Sequence, residues 1–213
     1  MKNKRFLSGN KLFFNLIIKP MKTALKTLVV ASMILFIFCT NSPGGINNQA
    51  GNDIKDSAEL IKKGEHLVTI MGCNDCHSPK RMGPNGPEVI PEKMLSGYPS
   101  DRPLPQFDTA LAKRGIAQMN EDLTAAAGPW GISFAPNLTG DASGAGNWPL
   151  ENFKIALKHG KAKGIESGRT LLPPMPWFNY VHLTDDEIEA IHAYLKSITR
   201  VPNIAPEPLL FEK

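Results

Sequence analysis

Two thiols and an imidazole stand within five residues of one another in Gly72-Cys73-Asn74-Asp75-Cys76-His77-Ser78, and the one other cysteine in the chain is Cys39. Three chemistries use such a cluster: a redox dithiol, half of a zinc site, or a covalent anchor for haem. A thioredoxin-type dithiol needs a strand before it and a βαβ context, but the residues before Cys73 follow a helical pattern. A structural zinc ion needs four protein ligands. No cysteine follows Cys76, and His159, His182 and His192 show no ligand pairing. His182 and His192 read instead as partly exposed helix residues. The haem reading uses every residue of the cluster. Two residues between Cys73 and Cys76 let both thiols add to the vinyl groups of one porphyrin, and His77 then lies under the iron as an axial ligand.

A six-coordinate iron needs a second axial ligand, commonly Met or His. Met71 lies in the helix that leads to the anchor, and Met82 follows His77 too closely to cross the ring. Met94 and Met119 fall in an irregular stretch and remain the runners-up. Met175 stands in Pro173-Pro174-Met175-Pro176, where prolines stiffen an extended loop. It is the expected ligand.

Haem of this kind is attached outside the cytoplasm, so the N-terminus matters. Residues 1–39 hold seven Lys and Arg and no acid; without those seven, 17 of the 24 bases face 20 acids, a charge of about −3. The basic balance thus reports an export signal and gives no reason to expect nucleic acid as a partner. Residues 1–20 read as a non-native upstream extension, since Met21 opens a signal peptide of ordinary proportions over 21–38. Its apolar run, Leu28 to Phe38, is too short for a spanning helix, which needs ~20 residues. Cys39 directly after that run is a candidate for lipidation. Phe38 departs from the small residue usual before a lipid-bearing cysteine, which leaves simple secretion or an uncleaved anchor as the alternatives.

Four stretches must position the site. A flexible linker is expected over 39–55, a domain over 56–201 and a surface tail over 202–213. In the domain, Leu60, Ile61, Leu67, Val68 and Met71 share a helical face, with Asp56 and Glu59 as a capping box. A second helix starts near Pro149, buries Leu150, Phe153, Ala156 and Leu157, and closes at Gly160. A third runs from Thr184 to about Thr199, capped by Thr184 and Glu187, with Ile188, Ile191, Leu195 and Ile198 inward. Between the first two lies a long irregular insertion, residues 78–127. It holds a possible short helix over Asp108–Arg114, and a small hairpin is expected about Gly128–Gly131, with the runs Asn120–Thr124 and Ala135–Thr139 as its arms.

The order helix, C-x-x-C-H, Pro-Asn-Leu, helix, Met loop, C-terminal helix resembles class I c-type cytochromes. GPWGISFAPNLTGD, GNWPLENFKIALKHG, LLPPMPWFNY and LTDDEIEAIHAYLKSI are similar to the monohaem domains of bacterial exported cytochromes c that work beside periplasmic dehydrogenases. The resemblance covers roughly Glu59 to Pro202. It implies a mostly α fold, with three core helices around one covalent haem c. It implies thioethers at Cys73 and Cys76, His77 and Met175 on the iron, and the Pro136 carbonyl accepting from His77. Trp130, Trp148, Trp177, Tyr180 and Arg169 are candidates to face the haem propionates.

With both axial positions filled, substrate has no access to the iron, so the expectation is an electron-transfer protein rather than an enzyme. It would be exported to the periplasmic side and lipid-anchored to the membrane. It would carry single electrons from a quinol-oxidising complex or a dehydrogenase to an oxidase or reductase. The alternatives are a haem subunit fixed in a larger dehydrogenase or reductase, with the insertion as docking surface, or a haem sensor or enzyme with a labile distal ligand.

Overall fold

The computed structural model describes residues 49–211. The upstream extension, the signal peptide, Cys39 and most of the linker lie outside them. Helix α1 spans Gln49–Ile70 and α2 spans Cys73–His77; Gly72 joins them at φ 68°, a left-handed conformation that glycine adopts without a Cβ clash. Because α1 starts at Gln49, the expected start at Asp56 is corrected: Asp56 is an interior helix residue and caps nothing. The apolar face is as the spacing predicts, with Val68 buried and Ile61, Leu67 and Met71 packed beside it.

The later helices follow the sequence closely. Leu150–His159 forms α4, and Gly160 ends it in the left-handed conformation; Pro149 is its cap rather than its first residue. Asp185–Ser197 forms α6, where Thr184 Oγ1 accepts from the Glu187 amide and Glu187 Oε2 accepts from the Thr184 amide. Ahead of them come α3, Thr109–Lys113, and, between them, α5, Trp177–Tyr180. Helix α1 packs on α6 at Gly64, where a Cβ would overlap the Ala190 carbonyl. Phe153, Leu157, Ile188, Ile191, Tyr194 and Leu195 complete the core between α1, α4 and α6.

Two small antiparallel sheets fill the stretch after α2. Strands β1 (Lys80–Gly83) and β2 (Gly86–Val89) pair as a hairpin. The order of the second sheet is β3 (Gln118–Met119), β4 (Ala125–Gly128), β5 (Gly131–Phe134). The hairpin about Gly128–Gly131 is therefore present. Its arms are the runs next to the turn, however, and not Asn120–Thr124 and Ala135–Thr139, because the two-residue turn pairs its nearest neighbours first.

Within 78–127, residues 95–99 and 124–127 are buried. Leu95 and Tyr98 are fully buried. The Gly97 amide donates to the His77 carbonyl at 2.7 Å, and the Tyr98 amide to the Ala135 carbonyl at 2.8 Å. Lys80 Nζ donates to the carbonyls of Asp75 (2.7 Å) and Asp122 (2.9 Å), lacing this stretch to α2.

Asp122, its side chain 2% exposed, is bonded by Arg102 at 2.7 Å and Thr124 at 2.6 Å. Burial would raise the Asp122 carboxyl; the hydrogen bonds from Thr124 and Arg102, with the Arg102 charge, outweigh it and hold the pKa below its ordinary value. Its contribution to stability is thus complete above the unfolded carboxyl's value, ~3.9, and is lost as pH falls through the folded one. We expect Asp122→Ala to cost about 3 kcal/mol in urea unfolding, the scale for stripping a buried pair of one partner. Asp122→Asn should also flatten the acid limb of the stability–pH curve.

The C-terminal tail, expected on the surface, is laced into the fold. Asn203 Nδ2 donates to the carbonyls of Ser96 (2.7 Å) and Tyr98 (2.8 Å), and Leu209 exchanges backbone bonds with Ile132.

Candidate haem site

A cavity of about 530 Å³ opens beside α2, inside the range of roughly 300–1,000 Å³ usual for cofactor pockets. Cys73, Cys76 and His77 line it from α2, and Met71 from the end of α1. Pro174, Met175 and Pro176 reach it from the loop before α5, and Phe153, Leu157, Ile191 and Leu195 from the core helices. Residues close together in sequence supply the thiols and imidazole. Met175 arrives from a hundred residues away only because α4 and α6 bracket its loop.

The imidazole is prepared for ligation. His77 Nδ1 lies 2.8 Å from the Pro136 carbonyl oxygen. A carbonyl only accepts, so Nδ1 carries the proton and Nε2 keeps its lone pair. Burial pushes the His77 pKa below its ordinary value, more strongly than the Pro136 bond raises it, and the ring is neutral at pH 7. Asn137 holds that carbonyl in place: its Oδ1 accepts from the Thr139 amide at 2.9 Å, and its Nδ2 donates to the Val201 carbonyl at 2.7 Å. The Leu138 amide adds a bond to the Leu95 carbonyl at 2.8 Å.

The thiols are unlike those of a redox dithiol. Burial pushes the Cys73 pKa up to about 11 and raises that of Cys76, with the Asp75 charge acting in the same direction. Such thiols are protonated at neutral pH, whereas disulfide exchange depends on thiolate. A zinc centre is also disfavoured: among the described residues, no three His, Cys, Asp or Glu side chains gather as a metal site. Two neutral thiols, a neutral imidazole with a free Nε2, a thioether and an apolar wall fit a covalently held porphyrin.

Of the methionines weighed from the sequence, Met71 and Met175 line the cavity. Met94 packs against the hydrophobic core, while Met82 and Met119 are 75% and 41% exposed. Among the propionate candidates, Trp148, Tyr180 and Arg169 line the cavity; Trp130 and Trp177 stand outside it, against Gly128 and Gly160. His182 is exposed, but in the turn before α6 rather than on a helix. His192 is corrected from partly exposed to buried: its Nε2 donates to the Trp148 carbonyl at 2.9 Å, and it faces the core.

Sequence reasoning missed two parts of the wall. Leu123 to Ala126 reach the cavity from the second sheet, and Ile204 to Pro208 from the tail. The tail segment is pinned at Asn203 and Leu209 and carries an ion pair from Glu207 to Lys163 at 3.0 Å. Its one sequence signal was proline at 202, 206 and 208, which stiffens a chain without saying what it covers.

Residues 61–199 match the family model described as Cytochrome c. The chain is 26% identical over 167 residues to the gluconate 2-dehydrogenase cytochrome c subunit of Pantoea cypripedii, covering 78% of this chain and 28% of that one. It is 36% identical over 150 residues to the fructose dehydrogenase cytochrome subunit of Gluconobacter japonicus, covering 70% and 23%. It is 35% identical over 136 residues to the cytochrome c subunit of the quinone alcohol dehydrogenase of Gluconobacter oxydans, covering 63% and 20%. The chain therefore spans about a quarter of the length of these curated relatives. With its C-x-x-C-H helix, its carbonyl-bonded histidine and this match across most of its length, the chain belongs to the cytochrome c family and is a class I c-type cytochrome, whose prosthetic group is covalently bound haem c.

Proposed function

We infer that this chain is an exported monohaem electron carrier, with three core helices packed about a single haem. Cys73 and Cys76 would hold the haem through thioethers, His77 Nε2 and Met175 Sδ would bind its iron, and the Pro136 carbonyl orients His77 and raises its basicity. When bound, haem c supplies a one-electron couple. His77 and Met175 favour a relatively high potential and hold coordination constant between oxidation states. The apolar walls from α4 and α6 keep water from the ring. With His77 and Met175 both on the iron, substrate would have no access to it, and the chain would move electrons without catalysing a reaction of its own. The observation that carries this reading is the Nδ1 bond from His77 to Pro136 in a cavity that Met175 also lines.

The relatives' names favour the subunit form of this function. Each is a cytochrome subunit of a dehydrogenase, so a dehydrogenase is the electron donor we infer, with an oxidase or reductase beyond it. Lipidation at Cys39 would tether the chain to the membrane on the periplasmic side. Copurification separates the two forms: a fixed subunit elutes with its dehydrogenase at high salt, and a shuttle elutes alone.

The ligand assignment has a direct test. The oxidised, haem-loaded protein should show the weak long-wavelength band of sulfur-to-iron coordination. Met175→Ala should abolish it and lower the reduction potential. An intact band in that variant would move the assignment to another methionine.

A further inference from the structure

Few hydrogen bonds hold the axial loop. Three of the residues in Pro173-Pro174-Met175-Pro176 are prolines without an N–H, the Met175 amide makes only a 3.3 Å bond to the Leu172 carbonyl, and the Pro176 carbonyl accepts from the Asn179 amide at 2.9 Å. Among the described residues, one side chain bonds this loop: Ser133 Oγ on β5 donates to the Pro173 carbonyl at 2.7 Å. Ser133 in turn accepts from Trp130 Nε1 at 3.3 Å. The Ala126 carbonyl lies farther from the hydroxyl, at 3.4 Å, so its single proton goes to Pro173. The Trp130 ring occupies the space that a Cβ on Gly128 would take.

We propose that Ser133, oriented by Trp130, is the positioning residue for Met175. A relay of indole, hydroxyl and carbonyl ties the axial loop to the β4–β5 hairpin. This rests on Met175 being the axial ligand. The physical need is plain: a thioether is a neutral, weak donor on a side chain with three rotatable bonds. Holding the loop in advance reduces the entropy lost when sulfur coordinates, and so strengthens the bond against competitors. The second sheet, which comes from the stretch after α2, thereby acts on the metal without touching it.

The test is an imidazole titration of the ferric, haem-loaded protein, read in the Soret region alongside the long-wavelength sulfur band. Ser133→Ala should bind imidazole about fivefold more tightly, the fold-change of one net hydrogen bond, with a weakened sulfur band. Ser133→Thr keeps the hydroxyl and should restore both. Trp130→Phe keeps a ring on Gly128 but loses the donor, and should fall between. Parental imidazole affinity in Ser133→Ala overturns the proposal, whether or not the unfolding midpoint drops; so does a Ser133→Thr that behaves like the alanine variant. Met175→Ala separates the two levels. If it keeps the sulfur band, the ligand assignment has failed. If it loses the band while Ser133→Ala matches the parent, only the role of Ser133 has.

Discussion

Replacing Cys73 and Cys76 together with serine is expected to leave a chain that neither retains haem through denaturation nor unfolds cooperatively. Both thiols stand on the wall of a cavity of about 530 Å³ that runs between the core helices and the Met175 loop. Without the haem, the apolar walls of that cavity lose the body they pack on and face water. Domains are stable by only about 5–15 kcal/mol, so relaxation and fluctuating packing are the expected outcome. Haem content after acid extraction and near-ultraviolet circular dichroism check the two halves of this prediction. Single replacements keep one thioether and should retain colour. A colourless double variant with a sharp unfolding transition would show that the fold stands without its prosthetic group.

The second large effect lies far from any chemistry. A Cβ on Gly64 would overlap the carbonyl oxygen of Ala190 and sit 2.8 Å from the Cβ of Tyr194, so Gly64→Ala must push α1 away from α6. Both obstacles belong to or directly join a helix backbone, and no side-chain rotation clears them. Overpacking of this kind costs about 1–3 kcal/mol and occasionally more; with so direct a clash we expect about 3 kcal/mol, net of the ~1 kcal/mol that alanine gains over glycine in a helix. For a domain of this size that corresponds to a fall of about 6–12 °C in Tm. Because α1 runs on through Gly72 into Cys73, the shift should also slow haem attachment. An unchanged Tm would mean that the two helices do not pack together at Gly64.

What local reasoning could reach is clear from individual residues. The capping pair of Thr184 and Glu187 is a contact between residues three apart, and the spacing alone implies it. Gly160 ends α4 for an equally local reason, since the left-handed conformation after a helix favours a residue without Cβ. The start of α1 is not legible locally: Asp56 and Glu59 have the types of a capping box, while nothing nearby forbids the helix from continuing backward through Lys55. His192 was read as partly exposed from its polar type, yet the carbonyl that pays for its burial belongs to Trp148, forty-four positions earlier.

For the candidate site the division is sharper. The thiols, the imidazole and the loop that carries Met175 are legible in the chain, because covalent attachment demands a fixed local spacing and prolines announce a stiff segment. The identity of the cavity's other walls was decided by tertiary structure alone: Asn137 bracing the Pro136 carbonyl, Ser133 beneath the axial loop, the tail from Ile204 to Pro208 along the rim. Each of these depends on one backbone carbonyl meeting one distant donor, or on a stretch of chain happening to lie across an opening. Side-chain type carries no record of which carbonyl will be near. Only the path of the folded chain settles that.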